Sequence, residues 1–558
     1  MINRNWAFWL GIVLLAACTG TSNEETDTRK VFRYNMAEGQ TSLDPAYAKN
    51  QANVWATTQL FSGLVSLDGS LQPEGDVAES WEVSEDGLEY TFNIRPGVYF
   101  HDHEAFPEGK GREVIAEDFV YSFKRIVDPS VASNGAWIFT TKVKRNDDGQ
   151  LAEDWVEALS TYQLKIRLER PFSSFLYRLA MPYGFVVPKE VVEKYGKDFR
   201  SHPVGTGAFT LKTWEEGNRL ILLKNKNYYR RDQYGKPLPY IDAVQVSFIP
   251  DKNAELLEFE QGNLDFISFS GQPNLVDKIL QKDGTIRLKY VGKYVVQKVH
   301  YMNTEYLGFV VDPEAYEDPT HPILNKQFRQ AMNYAINRKE MLAYLLSNLG
   351  RPGNSGFVPR ALPSFNPEEV KGYDYDPDLA AQLLAEAGYP QGQGLPEITL
   401  YSGVQSKDLL EYLQKQWEAI GIRVKIQINP VPTHLEMTEN MRAPFFRGSW
   451  LADYPDAENF FACFYSKNFA PAGPNKTHFS NAEFDALYEQ SLVETDRMKQ
   501  WDLYYQMDRL LVEEAPFVVL YYDETLRVMQ PNVDGLEPNG MNIPHLDKAD
   551  FMEVQALQ

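Results

Sequence analysis

The chain has 558 residues, of which 43% are hydrophobic and 13% aromatic, so it can bury a large core and we expect more than one domain. The formal net charge is −22, with acidic residues spread along the chain, which argues against nucleic acid as a partner because nucleic-acid binding needs a basic face. The two cysteines, Cys18 and Cys463, exclude a disulfide framework.

The first 18 residues have the pattern of a secretory leader. Arg4 precedes an apolar run at 6–17 that is shorter than the roughly 20 residues needed to span a bilayer. Residues 15–18 resemble a bacterial lipobox, which implies that Cys18 is diacylated and becomes the new N-terminus. The alternative is ordinary signal-peptidase cleavage beside a chance cysteine. We therefore predict a lipoprotein signal peptide at 1–18 and a flexible polar tether at 19–30.

Up to about residue 300 the pattern is rich in strands. Apolar residues at Leu60, Leu64 and Val65 suggest a helix ending near 63–67. The other elements predicted from alternation, turn residues and helical spacing are strands at 31–34 and 162–168, hairpins over 82–95 and 209–223, and a helix at 116–127.

The second half changes to an α/β pattern. Helices are expected at 325–336, from Asn337, from Asp378, from Ser406, at 481–493 and at 496–514, with strands at 398–400, 424–428 and 517–522. The strand, helix and strand between 398 and 428 form a β-α-β unit. This half is therefore predicted to be an α/β lobe on a mixed sheet.

A turn-prone segment at 447–456 has the composition of a small cation site. Asp453 lies between two aromatic residues, and Pro455 prevents a helix there, so the run is extended. A carboxylate between aromatic rings is suited to a small cationic group.

Several segments together resemble the family 5 extracytoplasmic solute-binding proteins of ABC importers, and among these the oligopeptide-binding lipoproteins. The segments are 78–81, 86–97, 100–102, 116–125, 205–207, 328–336 and Trp450-Leu451-Ala452-Asp453-Tyr454. The resemblance implies an α/β, two-lobed periplasmic-binding-protein fold of type II, cluster C. It implies a first lobe of 31–300 plus 523–558, with an extra subdomain at 74–204, and a second lobe of 301–522.

The same resemblance implies roles for seven ligand-binding residues. Asp453 is expected to take the ammonium of a bound peptide, and Arg447 matches an arginine that some relatives use on the peptide carboxylate. Trp450 and Tyr454 are expected to wall the ammonium. Backbone recognition by strand addition is expected around Lys49, Asn50 and Gln51. Structural alternatives remain open for each: a loop-closing Asp453, an ion-paired Arg447 and aromatic residues that only pack.

The implied function is that of a substrate-binding lipoprotein, not an enzyme, at the extracytoplasmic face of the cell envelope. It would capture oligopeptides of broad sequence and deliver them to the permease and ATPase subunits of an ABC importer. We expect a monomer with a lipid anchor and no cofactor. Alternatives are a non-peptide solute (nickel or haem, glutathione, an oligosaccharide) or a lipoprotein hydrolase that uses an acid pair such as Asp453 and Asp456.

Two further motifs favour structure over metal binding. The 101–104 segment, His-Asp-His-Glu, is a dense set of metal-type ligands, but a surface turn is the preferred interpretation. Acidic residues alternate at 374–378 as in a calcium loop, yet Leu379 replaces the required glycine, so a helix entry is predicted. No metal site is expected.

Overall fold

The computed structural model describes residues 29–269, 273–403 and 407–552, so the predicted signal peptide, Cys18 and Ser406 lie outside the described residues. The strands are β1 (Val31–Asn35), β2 (Val65–Leu67), β3 (Pro73–Gly75), β4 (Ala78–Val83), β5 (Glu89–Ile94), β6 (Val156–Ser160), β7 (Gln163–Arg167), β8 (Phe209–Glu215), β9 (Arg219–Lys224), β10 (Ala243–Ser247), β11 (Phe266–Phe269), β12 (Val295–Phe309), β13 (Arg351–Pro352), β14 (Ile398–Gly403), β15 (Val424–Asn429), β16 (Phe445–Leu451), β17 (Phe517–Met529), β18 (Val533–Asp534) and β19 (Asp550–Phe551).

The helices are α1 (Gln51–Leu60), α2 (Ala116–Val127), α3 (Trp137–Thr140), α4 (Phe175–Leu179), α5 (Lys189–Tyr195), α6 (Lys252–Glu260), α7 (Pro273–Ile279), α8 (Lys326–Tyr334), α9 (Arg338–Leu346), α10 (Pro377–Glu386), α11 (Lys407–Glu418), α12 (Val431–Glu439), α13 (Glu458–Phe461), α14 (Ala482–Val493) and α15 (Arg497–Glu514). None of these described helices has the length and apolar character needed to cross a membrane.

Two long antiparallel strands, β12 and β17, lie in the middle of the largest sheet. Its order is β15-β14-β16-β12-β17-β11-β1-β10-β9-β8, with β13 also paired to β17. One end of β12 pairs with β16, and one end of β17 pairs with β11. All 13 residues of β17 are buried, which fits a central strand covered on both faces. The two strands therefore connect the two ends of the molecule.

The buried apolar residues separate into groups on either side of this connection. One group contains Phe32, Phe119 and Leu546, and another contains Leu307 and Trp417. The register of β12 against β17 is irregular between residues 300 and 304. We propose that the lobes meet here, with 31–300 and 523–552 in the first lobe and 301–522 in the second. A separate antiparallel sheet, β4-β5-β7-β6, lies within the proposed 74–204 subdomain.

The β-α-β prediction is confirmed, because β14 and β15 are parallel and α11 connects them. Leu409, Leu413 and Trp417 lie on the buried face of α11, as the helical spacing predicts. The indole Nε1 of Trp417 donates to the carbonyl of Met332 at 2.9 Å, which ties this unit to α8. The mixed α/β architecture follows from these layers.

Three local predictions are wrong. The first helix ends at Leu60, not near 63–67, because the backbone of Phe61 is extended and Val65 begins β2. Asp376, not Asp378, caps α10: its carboxylate accepts from the Leu379 N–H at 2.9 Å, and a proline follows at the first helical position. The strand predicted at 517–522 continues to residue 529 because it pairs with β11 as well as β12.

The histidine predicted to lie on a surface turn is instead buried. His101 is 4% exposed, with Nε2 at 3.0 Å from the Gly207 carbonyl oxygen. Burial lowers the pKa of His101 to about 4, so the imidazole is neutral at pH 7. Among the described residues, no three histidine, cysteine or acidic side chains are placed to hold a metal ion.

Candidate functional site

A cavity of about 540 Å³ lies between the two lobes. This volume is within the roughly 300–1,000 Å³ typical of small-molecule sites. The first lobe lines it with residues from α1, from the 180–185 segment and from 539–547, and the second lobe lines it with 451–455. The cavity therefore forms only where the two lobes come together.

Asp453 reaches the cavity because β16 ends two residues before it. The Ala452 N–H still donates to the Met302 carbonyl at 2.9 Å, after which the chain leaves the sheet. The buried Asn459 then fixes the loop. Its Oδ1 accepts from the Asp453 N–H at 3.2 Å and from the Trp450 indole at 3.1 Å, and its Nδ2 donates to Asp453 Oδ2 at 3.2 Å.

The Asp453 side chain is exposed at the cavity, which protein encloses only in part. Lost hydration raises the pKa of Asp453, and Asn459 and Arg178 offset only part of that rise. The second carboxylate oxygen, Oδ1, has no hydrogen-bond partner among the described residues. A donor brought by a solute would therefore find an acceptor that is held in place and poorly hydrated.

Tyr183 of the first lobe also lines the cavity, close enough to Asp453 for the two to interact electrostatically. Burial, with a smaller contribution from the charge of Asp453, raises the pKa of Tyr183 to about 12. The phenol is therefore neutral at pH 7 and does not compensate the carboxylate.

Tyr454 lines the cavity and also joins the lobes. Its ring is 1% exposed, its hydroxyl donates to Glu458, and it accepts from Arg178 of the first lobe at 3.3 Å. The Arg178 guanidinium lies 5.4 Å from the Tyr454 ring centroid. The cation over this ring is thus one of the protein's own, and a wall for a ligand ammonium is not its only role.

Three hydrogen bonds beside the cavity also cross from the first lobe to the second. The Ser173 N–H donates to the Leu492 carbonyl at 2.9 Å, Gln500 donates to the Ser173 hydroxyl at 2.6 Å, and Arg497 donates to the Tyr177 hydroxyl at 2.6 Å. With these contacts made, the lobes are closed on each other.

The predicted backbone-recognition residues Lys49, Asn50 and Gln51 line the cavity at the start of α1. The Asn50 side chain caps the helix by accepting from the Asn53 N–H at 2.9 Å. The segment is thus a helix entry and not a free strand, since the chain becomes helical at Gln51. The side chains of Lys49 and Gln51, on either side of this helix cap, are exposed.

Two predicted site residues do not line the cavity. Arg447 donates to buried Glu305 at 2.6 Å across the β12–β16 pair, so its guanidinium already has a carboxylate. The indole of Trp450 donates to Asn459, the residue that holds the Asp453 loop. Asp456, the second acid of the hydrolase alternative, is buried and accepts from the Tyr504 hydroxyl at 2.6 Å, away from the cavity lining.

The first-lobe end of the cavity has charged residues that sequence reasoning missed. Asp76, Arg230, His545 and Asp547 line it. They come from three segments separated by more than 150 residues, so no local motif could have indicated the group.

Comparisons with known proteins fit this geometry. The model of the bacterial extracellular solute-binding proteins, family 5 middle region, matches residues 72–471. Heme-binding protein A of Haemophilus influenzae is 27% identical over 554 residues, covering 94% of each chain. Dipeptide-binding protein DppE of Bacillus subtilis is 26% identical, covering 98% of this chain and 99% of DppE.

Solved structures have the same fold. The periplasmic binding protein DppA of Helicobacter pylori, in complex with the peptide STSA, has a TM-score of 0.74 at 25% identity, covering 94% of this chain and 99% of DppA. HbpA2 of Haemophilus parasuis has a TM-score of 0.79 at 23% identity, covering 94% and 100%, and supports the fold alone. The predicted two-lobed periplasmic-binding-protein architecture is confirmed.

Proposed function

This chain belongs to family 5 of the bacterial extracellular solute-binding proteins, and we propose that it captures short peptides between its lobes and hands them to an ABC-type permease. The observation that carries the proposal is Asp453, a carboxylate fixed by Asn459 with one oxygen free at the cavity between the lobes. A peptide ammonium there forms a charge-assisted hydrogen bond in a poorly hydrated space.

The cavity lining also has a feature suited to the peptide carboxylate. Lys49 is exposed beside the N-terminus of α1, where helical N–H groups lack intrahelical partners. An anion is favoured at such a position by both the ammonium and the helix dipole. Arg447 is a weaker candidate because Glu305 already occupies its guanidinium.

We further propose export, diacylation of Cys18, attachment to the membrane surface and a monomeric receptor. These proposals rest on the leader pattern and on the family, since Cys18 lies outside the described residues. Intact mass of the membrane-extracted protein tests the anchor: a mature chain that begins at Cys18 and carries acyl chains supports it.

A cycle of two changes tests the role of Asp453. Asp453→Asn and an N-acetylated peptide each remove one side of the proposed contact. Calorimetric titration of ligand-free protein with tri-alanine should show a loss of about 10- to 100-fold for either change alone, because hydrogen bonds to charged groups are worth about 1.5–3 kcal/mol. Both changes together should cost little more than one.

Asp502→Asn, on the exposed face of α15 in the second lobe, is the matched control and should leave the affinity unchanged. Additive losses in the cycle would remove Asp453 from ammonium recognition. Haemin and glutathione are titrated in parallel, and mass spectrometry of the recovered tri-alanine distinguishes a receptor, which returns it intact, from a hydrolase, which cleaves it.

A further inference from the structure

The first-lobe end of the cavity contains a carboxylate without a direct partner. Asp547 lines the cavity and is 8% exposed. Within residues 29–269, 273–403 and 407–552, its carboxylate has no hydrogen bond and no ion pair within 4 Å. Burying an ionised carboxylate without a partner is costly, and buried charges are normally paired.

No neighbouring described group makes a direct contact with the Asp547 carboxylate, although the charge of Arg230 attracts it. Arg230 donates to Glu74 at 2.7 Å, with its Nε at 3.9 Å from Asp76, so this guanidinium already serves two acids. Asp76 in turn accepts from the Tyr229 hydroxyl. Three carboxylates thus surround one cation.

The remaining neighbours of Asp547 place no cation in contact with its carboxylate. His545 lines the cavity, and burial, the largest influence on it, lowers its pKa, so it is neutral at pH 7. Lys548 is the next residue, but it is exposed and forms no ion pair with Asp547. Tyr228 also faces this group, and burial followed by the charge of Asp547 raises its pKa, so its phenol stays neutral.

We propose that Asp547 is a second ligand-binding carboxylate and that the preferred solutes are peptides with a cationic side chain, lysine or arginine, in addition to the free ammonium. This inference rests on the proposed peptide function and specifies its substrate class. Asp453 takes one cation at the second-lobe end, and Asp547 takes the other at the first-lobe end.

The charges of the whole lining agree with this preference. Asp76, Asp453 and Asp547 carry negative charge into the cavity, whereas Lys49 and Arg230 carry positive charge, and Arg230 is already paired. A solute with one extra cation neutralises the excess, and a solute with an acidic side chain increases it. His545 and Asp547 lie beyond the 72–471 region matched by the family model, so they need not be common to its members.

The test compares lysine with norleucine, which has the same carbon chain without the ammonium. Ligand-free protein is titrated with tri-alanine and with tripeptides that place lysine or norleucine at each position in turn. The best lysine peptide should bind about 10- to 100-fold more tightly than its norleucine counterpart. Asp547→Asn should remove this ratio, and Asp547→Glu, which keeps the charge, should retain a preference for lysine.

Asp534→Asn is the matched control, an exposed acid on the same C-terminal segment, and should keep the wild-type ratio. Thermal unfolding of each variant establishes that it is folded. If Asp547→Asn does not fold, the comparison of lysine with norleucine peptides is made with Asp547→Glu.

The outcomes separate this inference from the proposed function. Equal affinity for lysine and norleucine peptides, or a lysine preference that survives in Asp547→Asn, overturns the role of Asp547 while peptide binding stands. If Asp547→Asn changes only the pH dependence of unfolding, Asp547 forms a structural pair with His545, and its proposed role in ligand binding is overturned. Absence of binding by every peptide overturns the proposed function itself.

Discussion

Arg178→Met is expected to weaken closure of the two lobes. Arg178 is 6% exposed, and its guanidinium lies 4.5 Å from the ring centroid of Phe172 and 4.9 Å from that of Trp137. Methionine keeps an aliphatic chain against these rings but loses the charge and the donors. Since Phe172 and Trp137 belong to the first lobe with Arg178, their contacts persist when the lobes open.

The direct contacts of Arg178 that cross between the lobes are those to Tyr454, and its charge also attracts Glu458 and Asp453 of the second lobe. The Tyr454 contacts set the size of the expected effect. The desolvated guanidinium at 5.4 Å from the ring is worth about 2 kcal/mol, and the hydrogen bond at 3.3 Å about 1 kcal/mol. Together these give roughly 3 kcal/mol, or a decrease of about 150-fold in the equilibrium constant for closure. Glu458 keeps its hydrogen bonds from Tyr454 and Tyr488.

Two measurements detect this change whichever state dominates without ligand. If the free protein is mostly closed, Arg178→Met should increase its radius of gyration in small-angle X-ray scattering. If the free protein is mostly open, its scattering stays the same. Peptide affinity then falls by up to about 150-fold, because the ligand binds the closed state. Arg219→Gln, on an exposed hairpin and ion-paired within its own lobe to Glu215, is the control. Unchanged scattering together with unchanged affinity would refute the assignment of Arg178 to closure.

Two further predictions concern pH. Peptide affinity should fall as pH drops through the raised pKa of Asp453, because the protonated carboxyl no longer attracts an ammonium; titrations from pH 7 to 4 should show this for the wild type and a flat profile for Asp453→Asn. Burial alone would raise the pKa of Glu524, but His300, the Gly350 N–H and Arg351 outweigh it and lower the pKa to about 2. Glu524 therefore stabilises the fold above its unfolded-state pKa, near 4.5, and this contribution is lost as pH falls toward 2. Glu524→Gln should lower the free energy of unfolding at pH 7 by on the order of 3 kcal/mol in urea denaturation, with the difference vanishing near pH 2, whereas exposed Glu397→Gln should have no such effect.

The elements that local signals specify could be predicted from the sequence. Asn337, Asn481 and Asp496 each cap the helix that follows them, because a side-chain acceptor before an apolar-periodic run satisfies the first free N–H groups. The cap of α10 was predicted two residues too late. Asp376 and Asp378 both have the chemistry of a cap, and only the position of Pro377 at the start of the helix decides between them.

Long-range pairing limits what could be predicted of the candidate site. A local motif at 450–454 predicts that Asp453 contacts a ligand, and the structure brings Asp453, Lys49, Asn50, Gln51 and Tyr454 to one cavity. The partner of Arg447 depends on the register of β16 against β12, which places Glu305 within 2.6 Å from 142 residues away. No spacing within either segment contains that information.

The positions of two cavity carboxylates connect recognition to closure: Asp453 has one oxygen without a partner, and Asp547 has no direct partner among the described residues. Asp453 belongs to the second lobe and Asp547 to the first, so a solute with two cations contacts both only when the lobes are closed. A ligand shifts a conformational equilibrium only by its difference in affinity for the two states. Closure removes hydration from both carboxylates, which disfavours the closed, empty cavity electrostatically, while the Arg178–Tyr454 contact favours it. A bridging dication removes the cost at both ends at once, and a solute that reaches one carboxylate removes only one. The same two side chains would thus choose the solute and decide whether the receptor closes on it.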